Sequence, residues 1–443
     1  MSGIVGIAAP GKEAEVERML DKIKHRGPEG RKIMEINGAT LGIVWPASPA
    51  SFSSELIHEG IVRDGTDEGH LAEIKAEQGK LRLMRDQLGV APLYYGKTGD
   101  GFLCAASEVK ALQEVTHQIT ELPPGHRYDG HQLESYFELR KQPPSSESPE
   151  NIAKELHRRL SVSVEKRIKM EEIGSWLSGG LDSSTLAALV HPHVRIFHTF
   201  AAGLSGAPDL EFAREVAEFI KSKHHETIVS VDEMLKVLPN VIYNLESFDA
   251  LLVRSSITNY LVGKMASDYV SEVFSGEGGD ELFAGYDYLK SLDISQLADE
   301  LIDITSRLHN TALQRVDRSA SGHGTVAHTA FLDPEVVDFA VRIPVTYKLH
   351  DGVEKWILRH AIEGKLPERV LNRTKAKFWQ GAGVGELLSQ YAESHITTSD
   401  FNSERTLKNG WTLDSKEELM YYRIFRDFFG NLEELSWMGR TKK

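Results

Sequence analysis

The residues best suited to chemistry lie in a glycine turn between an apolar segment and the start of a helix. A strand is predicted at residues 174–177 and a helix at residues 183–190. Such a turn leaves backbone N–H groups and hydroxyls unpaired at the positive end of the helix dipole, and these groups bind phosphate. The predicted phosphate-binding residues are Leu177, Ser178, Gly179, Gly180, Asp182, Ser183 and Ser184.

The acid Asp182 within this turn points to a metal. The common nucleotide-binding loop has four residues between its first glycine and a Gly-Lys-Ser/Thr, and this chain has neither that spacing nor the lysine. A carboxylate beside phosphates needs a bridging cation, so we expect Mg²⁺ together with the pyrophosphate portion of ATP. An ordinary Gly- and Ser-rich turn is the alternative.

A second glycine turn, at residues 275–286, follows a predicted strand at residues 270–275 and carries three acids, among them Glu277 and Asp280. If both turns face one crevice, Asp182 and Asp280 hold Mg²⁺ between them through oxygen ligands, and Gly276 helps to bind the pyrophosphate. Alone, this segment would also suit a flexible acidic loop or a Ca²⁺ site.

Both turns must be positioned by a sheet whose strands end at one edge. After residue 150 the sequence predicts helices at 152–170, 210–223, 231–245 and 256–267, which alternate with strands at 174–177, 194–201, 225–229 and 270–275. This alternation predicts a parallel, doubly wound sheet that binds its ligand at the carboxyl ends of the strands. The remainder, from about residue 293, is predicted to be mostly helical.

The first part of the chain has a different pattern. Short strands are predicted at residues 4–8, 40–45, 60–62, 80–84, 93–96 and 102–106, with turns between them. The polar segment 141–150 carries three prolines and is typical of a linker. We therefore expect a sheet domain at residues 1–140 and a second domain at residues 151–443.

Composition excludes several classes of protein. The 443-residue chain is 41% apolar and has a net charge of −14, which argues against general nucleic-acid binding. The sequence predicts no membrane span and no export signal. The single cysteine, Cys104, fits a cytoplasmic protein. A basic run near Arg369, Arg373 and residues 375–377 is expected to serve a smaller polyanion.

The two glycine turns together resemble the synthetase domain of class B asparagine synthetases and the related β-lactam synthetases. The resemblance extends along nearly the whole chain. In the second half it includes the segments 198–200, 208–213, 331–333, 342–344, 355–359 and 373–378, and in the first half 25–30, 85–95 and 106–112. It implies an α/β protein with an N-terminal Ntn-hydrolase-like β-rich sandwich domain. A C-terminal ATP pyrophosphatase domain with a helical extension would follow.

The resemblance also implies a reaction and residue roles. A substrate carboxylate would attack the α-phosphate of ATP, and an amine would then displace AMP to form an amide. Lys375 would neutralise the transition state, Lys355 would help to bind pyrophosphate, and Glu277 would be the base for the incoming nitrogen. Arg254 would lie near the acceptor carboxylate. Surface charges for the two lysines, and a structural ion pair for Arg254, are the alternatives.

The first half departs from the family at its nucleophile. The family's glutaminase uses an N-terminal cysteine, whereas residue 2 is Ser2 here. The family's Asn-Gly-Glu-Ile-Tyr-Asn segment also has no counterpart between residues 45 and 83. We therefore expect a scaffold that does not release ammonia from glutamine, with a separate protein as a potential source of ammonia or amine.

The acceptor side is altered too. The family's Glu-Ala-Arg-Val-Pro segment is Val326-Ala327-His328-Thr329-Ala330 here, so His328 is a candidate acceptor-binding residue and aspartate cannot be assumed as the substrate. A core histidine is the alternative. β-Lactam synthetase-like ring closure and a non-catalytic nucleotide-binding subunit remain alternative functions, although the retained Glu277 favours the synthetase. Symmetry base rates alone suggest a homodimer.

Overall fold

The computed structural model describes residues 2–47, 57–58, 60–67, 69–374, 386–432 and 434–441, with the backbone alone at 57–58 and 66–67. The first part of the chain is rich in strands. Its elements are β1 (Gly3–Ile7), α1 (Glu13–Lys22), β2 (Gly30–Ile36), β3 (Ala39–Trp45), β4 (Ile57–His58), β5 (Ile61–Asp67), β6 (His70–Glu77), β7 (Lys80–Arg85), β8 (Tyr94–Lys97), β9 (Leu103–Ala106), α2 (Val109–Leu112), β10 (Ile119–Glu121), β11 (His126–Tyr128) and β12 (Leu133–Ser135).

These strands form two six-stranded antiparallel sheets, in the orders β10-β8-β9-β1-β3-β2 and β12-β11-β7-β6-β5-β4. The sheets pack face to face, because a Cβ on Gly6 of β1 would lie 3.0 Å from Cγ2 of Ile74 in β6. Helix α1 covers the other face of the first sheet through Val16 and Leu20, which pack against Gly42 of β3. The expected β-rich sandwich is confirmed.

Helices dominate the second part of the chain. Its elements are α3 (Pro149–Glu165), β13 (Glu172–Trp176), α4 (Leu181–Val190), β14 (Ile196–Gly203), α5 (Pro208–Ile220), β15 (Lys223–Ile228), α6 (Val231–Leu245), α7 (Ala250–Ser267), β16 (Glu272–Phe274), α8 (Gly279–Phe283), α9 (Ile294–Ser306), α10 (Ala312–Ser321), β17 (Val326–His328), α11 (Pro334–Arg342), α12 (Val345–Lys348), β18 (Leu349–His350), β19 (Val353–Glu354), α13 (Trp356–Ala361), α14 (Glu368–Leu371), α15 (Leu387–His395), α16 (Thr398–Glu404) and α17 (Lys416–Phe429).

The predicted parallel sheet is confirmed, in the order β15-β14-β13-β16-β17. The chain moves outward from β13 through β14 to β15 and then returns to the other side of β13 as β16. The strand order therefore reverses between β13 and β16, which is where open α/β sheets bind their ligands. Both glycine turns leave the sheet at these two strands.

Buried charges join the two parts of the chain. We call the following seven residues the interface cluster: Arg26, Asp64, Glu108, Lys110, Glu246, Asp317 and Arg318, each at most 3% exposed. Arg26 donates hydrogen bonds to Glu108 Oε1 (2.8 Å), to both carboxylate oxygens of Asp317 (2.8 and 2.9 Å) and to Asp64 Oδ2 (3.1 Å). A second link runs from the His70 ring to the carbonyl oxygen of Leu332, at 3.0 Å.

The segment that was predicted as a linker lies mostly exposed at the surface, and helix α3 begins near its end at Pro149. The domain limits 1–140 and 151–443 remain a prediction. Among the described residues, no helix is both long and apolar enough to cross a membrane.

Candidate active site

The first glycine turn joins β13 to α4. Gly179 has a φ of +65°, and a Cβ there would lie 2.4 Å from Phe212 Cβ and 2.5 Å from the Ala213 nitrogen. Helix α5 therefore packs so close to residue 179 that only glycine fits there. Gly180, with φ −79° and ψ 160°, precedes the helix, and a Cβ there would meet only Ser178 Oγ, at 3.3 Å. Gly180 is thus the glycine that leaves room for a ligand.

Serine hydroxyl groups form hydrogen bonds within this turn. Ser183 Oγ accepts a hydrogen bond from the Ser178 N–H at 3.2 Å and donates to the Gly180 carbonyl at 3.2 Å. The Ser184 hydroxyl is buried and has no hydrogen-bond partner within the described chain. Its predicted contact with phosphate remains a prediction, since Ser184 is not among the residues that line either cavity.

The second glycine turn packs directly on the first. A Cβ at Gly276 would lie 2.8 Å from the Ser183 nitrogen, and one at Gly279 would lie 2.5 Å from the carboxyl carbon of Asp182. Gly278 has a φ of +93°, and its α-carbon packs against the Leu332 side chain. The expectation that both turns share one crevice is confirmed, and the two glycines Gly276 and Gly279 allow this approach.

Lys355 lies between the two acids that were predicted to hold a metal. Its Nζ is 2.5 Å from Asp182 Oδ2 and 2.5 Å from Asp280 Oδ1, and the side chain is buried. The Lys355 backbone has a φ of +56°, a conformation that costs energy in a residue with a Cβ and often occurs at functional sites. A Cβ at Gly285 would lie 2.3 Å from Lys355 Cε, so the lysine side chain can occupy this position only because residue 285 has no side chain.

A small cavity of about 60 Å³ opens beside this lysine. Its lining residues are Ser178, Gly180, Leu181, Asp182, Ser183, Asp209, Lys355, Arg359, Arg373 and Thr374. Three cationic side chains and the N-terminus of α4 meet in this space, which suits a polyanion such as pyrophosphate. Arg359 and Asp209 were not assigned to the site from the sequence.

Arg373 fastens the segment before Lys375 to the first turn. It donates to the Ser178 carbonyl at 3.2 Å, pairs with Asp209, and packs over the Phe212 ring at 4.1 Å. Arg359 in turn donates to the Arg373 carbonyl at 3.0 Å. The expectation that Arg373 serves a small polyanion is consistent with this position. Lys375 itself lies outside the described residues.

A larger cavity of about 1180 Å³ adjoins the same turns. Its walls include Ser255 of α7, Glu277 of the second turn and Arg315 of α10. Arg315 pairs with Glu277 Oε1 and donates to Ser255 Oγ at 3.0 Å. No signal in the sequence predicts this arrangement, because Arg315 and Glu277 are 38 positions apart and no periodic pattern joins them.

Family models match both halves of this architecture. The asparagine synthase model matches residues 155–303 and 295–441, and a glutamine amidotransferase domain model matches residues 71–168. The chain belongs to the asparagine synthase family. The match to the second model covers part of the β-rich sandwich, including strands β6 to β12.

Several members of this family are similar over most of the chain. Asparagine synthetase B [glutamine-hydrolyzing] of Escherichia coli is 33% identical over 380 residues, which cover 80% of this chain and 68% of that protein. Asparagine synthetase [glutamine-hydrolyzing] 2 of Arabidopsis thaliana is 33% identical over 78% of this chain and 64% of its own length. A probable asparagine synthetase of Dictyostelium discoideum is 32% identical over 80% and 71%. The chain thus spans just under two thirds of the Arabidopsis protein.

Arg254 and His328 were predicted to bind the acceptor. In this member of the asparagine synthase family, both lie away from the cavity walls. Arg254 pairs with Glu417 of α17, donating to its Oε1 at 3.1 Å. His328 is buried in β17 and its Nε2 lies 2.9 Å from Glu272 Oε2. Neither side chain lines either cavity among the described residues. The ion pair and the core histidine, named as alternatives, describe these positions, and direct acceptor contacts remain a prediction.

The acids of the site suit a divalent cation that is also bound by phosphate. Asp182 and Asp280 offer carboxylate oxygens from two turns, and Gly279 and Gly285 leave space against these carboxylates where a Cβ would collide. No group of three His, Cys, Asp or Glu side chains with metal-site geometry occurs in the described parts of the chain. Two carboxylates supply only part of the oxygen shell that Mg²⁺ takes, so these residues would fit Mg²⁺ together with phosphate and water ligands.

Proposed function

We propose that the protein is an AMP-forming ligase that adenylates a substrate carboxylate and joins it to ammonia or another amine. The observation that carries this proposal is the meeting of the two glycine turns at the strand-order reversal, with Lys355 between Asp182 and Asp280. A polycationic cavity for pyrophosphate and a larger cavity that contains Glu277 open at this point.

The chain's own residues suggest how the first step proceeds. The Gly180 backbone, the hydroxyls of Ser178 and Ser183, and the cations Lys355 and Arg373 would hold the β- and γ-phosphates of ATP. When bound at Asp182 and Asp280, Mg²⁺ supplies charge neutralisation on these phosphates. A carboxylate oxygen of the acid attacks the α-phosphorus, the bond to pyrophosphate breaks, and the lysine and arginine stabilise the charge that develops on pyrophosphate.

In the second step an amine nitrogen attacks the acyl carbon of the adenylate. The new C–N bond forms, the C–O bond to AMP breaks, and the nitrogen loses a proton. Glu277 lies on the wall of the larger cavity with 19% of its side chain exposed, and its carboxylate is the proposed acceptor of that proton. Lys375 is proposed to assist the first step.

We further propose that the first half does not hydrolyse glutamine. Ser2 is fully buried, and its hydroxyl has no hydrogen-bond partner within the described chain. Its carbonyl accepts a hydrogen bond from Arg26 Nε at 2.7 Å, and the interface cluster surrounds that arginine. A nucleophile needs access for its substrate, and the burial of Ser2 provides none. Ammonia would then come from solution or from a separate protein, and a homodimer remains part of the proposal.

One experiment tests both proposals. The purified protein is incubated with ATP, Mg²⁺, ammonium chloride and a panel of acids that includes L-aspartate, and AMP and pyrophosphate are measured. Asp182→Ala should lose the activity. Parallel incubation with glutamine should release no glutamate. Glutamate release that Ser2→Ala abolishes would overturn the second proposal, and absence of acid-dependent pyrophosphate across the panel would count against the first. Ring closure of an internal amine, without consumption of ammonium, would identify the β-lactam synthetase-like alternative.

A further inference from the structure

The acids of the second glycine turn crowd one another. Glu277, Asp280 and Glu281 lie within five residues, and all three line the larger cavity. Tyr286 donates a hydrogen bond to Glu281 Oε1. A carboxylate in this surrounding needs a cation nearby if it is to keep both its charge and its position.

Arg315 is the cation that faces Glu277. Its Nη2 donates to Glu277 Oε1, while its Nη1 donates to Ser255 Oγ at 3.0 Å. Ser255 Oγ is itself held by the Leu252 carbonyl at 3.0 Å in α7. The guanidinium is therefore fixed from two elements, since it begins on α10 and is anchored on α7.

This geometry leaves one oxygen of Glu277 for the reaction. Arg315 binds Oε1, and Oε2 makes no hydrogen bond with any described residue. Both Glu277 and Arg315 line the larger cavity, with side chains 19% and 16% exposed. An arginine holds a carboxylate in a defined orientation, because its donors are fixed in one plane, whereas a lysine ammonium acts as a point charge.

We propose that Arg315 is a positioning residue for Glu277: it stabilises the negative charge of this carboxylate and holds its free oxygen where the incoming amine loses a proton. This inference rests on the proposed ligase function. The C–N bond forms as the C–O bond to AMP breaks, and the proton passes from nitrogen to Glu277 Oε2. Arg315 acts only in this second step, because the carboxylate that attacks ATP in the first step needs no base.

The two half-reactions can be measured separately. The first is the exchange of radioactive pyrophosphate into ATP in the presence of L-aspartate, or of whichever acid in the panel supports turnover. The second is amide formation with ammonium chloride. For Arg315→Gln we expect exchange within about threefold of the unsubstituted protein and amide formation reduced by about 100-fold, at the lower end of the loss for a general base because Glu277 itself is retained. Arg315→Lys should recover part of the second rate.

Controls separate positioning from folding. Arg158→Gln removes a surface arginine that pairs with Glu155 of its own helix, and it should leave both rates unchanged. In the double variant Glu277→Gln with Arg315→Gln, amide formation should fall no further than in Glu277→Gln alone, because Arg315 acts through Glu277. Exchange activity in Arg315→Gln itself reports that the variant is folded.

Each result has one meaning. Equal loss of exchange and amide formation in Arg315→Gln, or further loss in the double variant, would overturn the positioning role and leave the ligase function intact. Retained amide formation in Arg315→Gln would also overturn it. Absence of exchange in the unsubstituted protein with every acid would overturn the proposed function itself, together with this inference.

Discussion

At the scale of single residues, Lys355 lies between the two acids of the proposed metal site. Its ammonium contacts Asp182 and Asp280 at 2.5 Å each, and these are the two carboxylates that we propose as Mg²⁺ ligands. Two buried carboxylates close together require a cation, and one lysine supplies it here. A divalent cation that arrives without nucleotide would have to displace this ammonium. Nucleotide phosphates, in contrast, would give the displaced lysine a new anionic partner.

The first prediction therefore concerns Lys355→Met. We expect this variant to bind Mn²⁺ in the absence of nucleotide at least about tenfold more tightly than the unsubstituted protein, which corresponds to about 1.4 kcal/mol. Mn²⁺ binding is measured by electron paramagnetic resonance, with the thermal midpoint followed as a second readout of occupancy. Lys365→Met, at an exposed position, is the matched control. Equal Mn²⁺ affinities in all three proteins would refute the competition.

Residue roles could be predicted from the sequence only where they follow local motifs. The two glycine turns were located together with Asp182, Asp280 and Glu277, because each turn follows a strand directly. Partners of charged side chains were not predictable. Arg373 binds Asp209 across 164 positions of the chain, and Arg254 was assigned to the acceptor although the structure pairs it with Glu417, 163 positions away. Such ion pairs depend on how helices pack.

At the scale of elements, the first turn contains two glycines that are required for different reasons. Gly179 lies against α5 in a left-handed conformation, whereas Gly180 has dihedrals that any residue adopts. We expect Gly179→Ala to lower the free energy of unfolding by roughly 2–4 kcal/mol, through backbone strain and a clash with Phe212. Gly180→Ala should lower it by less than about 1 kcal/mol.

Urea denaturation monitored by circular dichroism measures this difference, and an ATP titration of pyrophosphate release completes the comparison. Gly180→Ala should raise the KM for ATP several-fold, because the added methyl group enters the small cavity. If the two alanine variants lose stability equally, the packing explanation for Gly179 is wrong.

Some elements were predicted closely, whereas others were missed, among them the strands β2 and β6. Helix α6 begins and ends where its apolar spacing predicts, at Val231 and Leu245, and β3 and β9 lie within one residue of their predicted limits. The three-residue strand β17, Val326–His328, completes the parallel sheet but falls in the region that was predicted to be helical. Its strand character comes from pairing with β16, which no local pattern encodes.

At the scale of the whole molecule, the interface cluster joins the sandwich to the parallel-sheet half. Four of its carboxylates face three cations, and Arg318 bridges the halves by binding Glu108 Oε1 at 3.0 Å and Glu246 Oε2 at 3.0 Å. The link from His70 to Leu332 reaches the second glycine turn, because the Leu332 side chain packs on Gly278. The first half therefore reaches the second glycine turn through Leu332.

The cluster makes stability depend on pH through Asp64. Burial raises the pKa of this carboxyl from 3.8 to about 6, against the attraction of Arg26. The folded chain thus binds the Asp64 proton more tightly than the unfolded chain does. This contribution to stability is complete below pH 3.8 and is lost as the pH rises through 6, and a shift of this size corresponds to about 3 kcal/mol.

Asp64→Asn removes this titration while keeping an oxygen acceptor for Arg26. We therefore expect the free energy of unfolding of the variant, relative to the unsubstituted protein, to increase by about 2.4 kcal/mol between pH 4 and pH 7. Urea denaturation at half-unit pH intervals measures this difference in the free energy of unfolding, which we call the gap. Asp351→Asn, in an exposed turn, is the matched control. A gap that stays constant, or one that narrows as the pH rises, would show that Asp64 does not carry this proton, since a lowered pKa in the folded state would give the opposite slope.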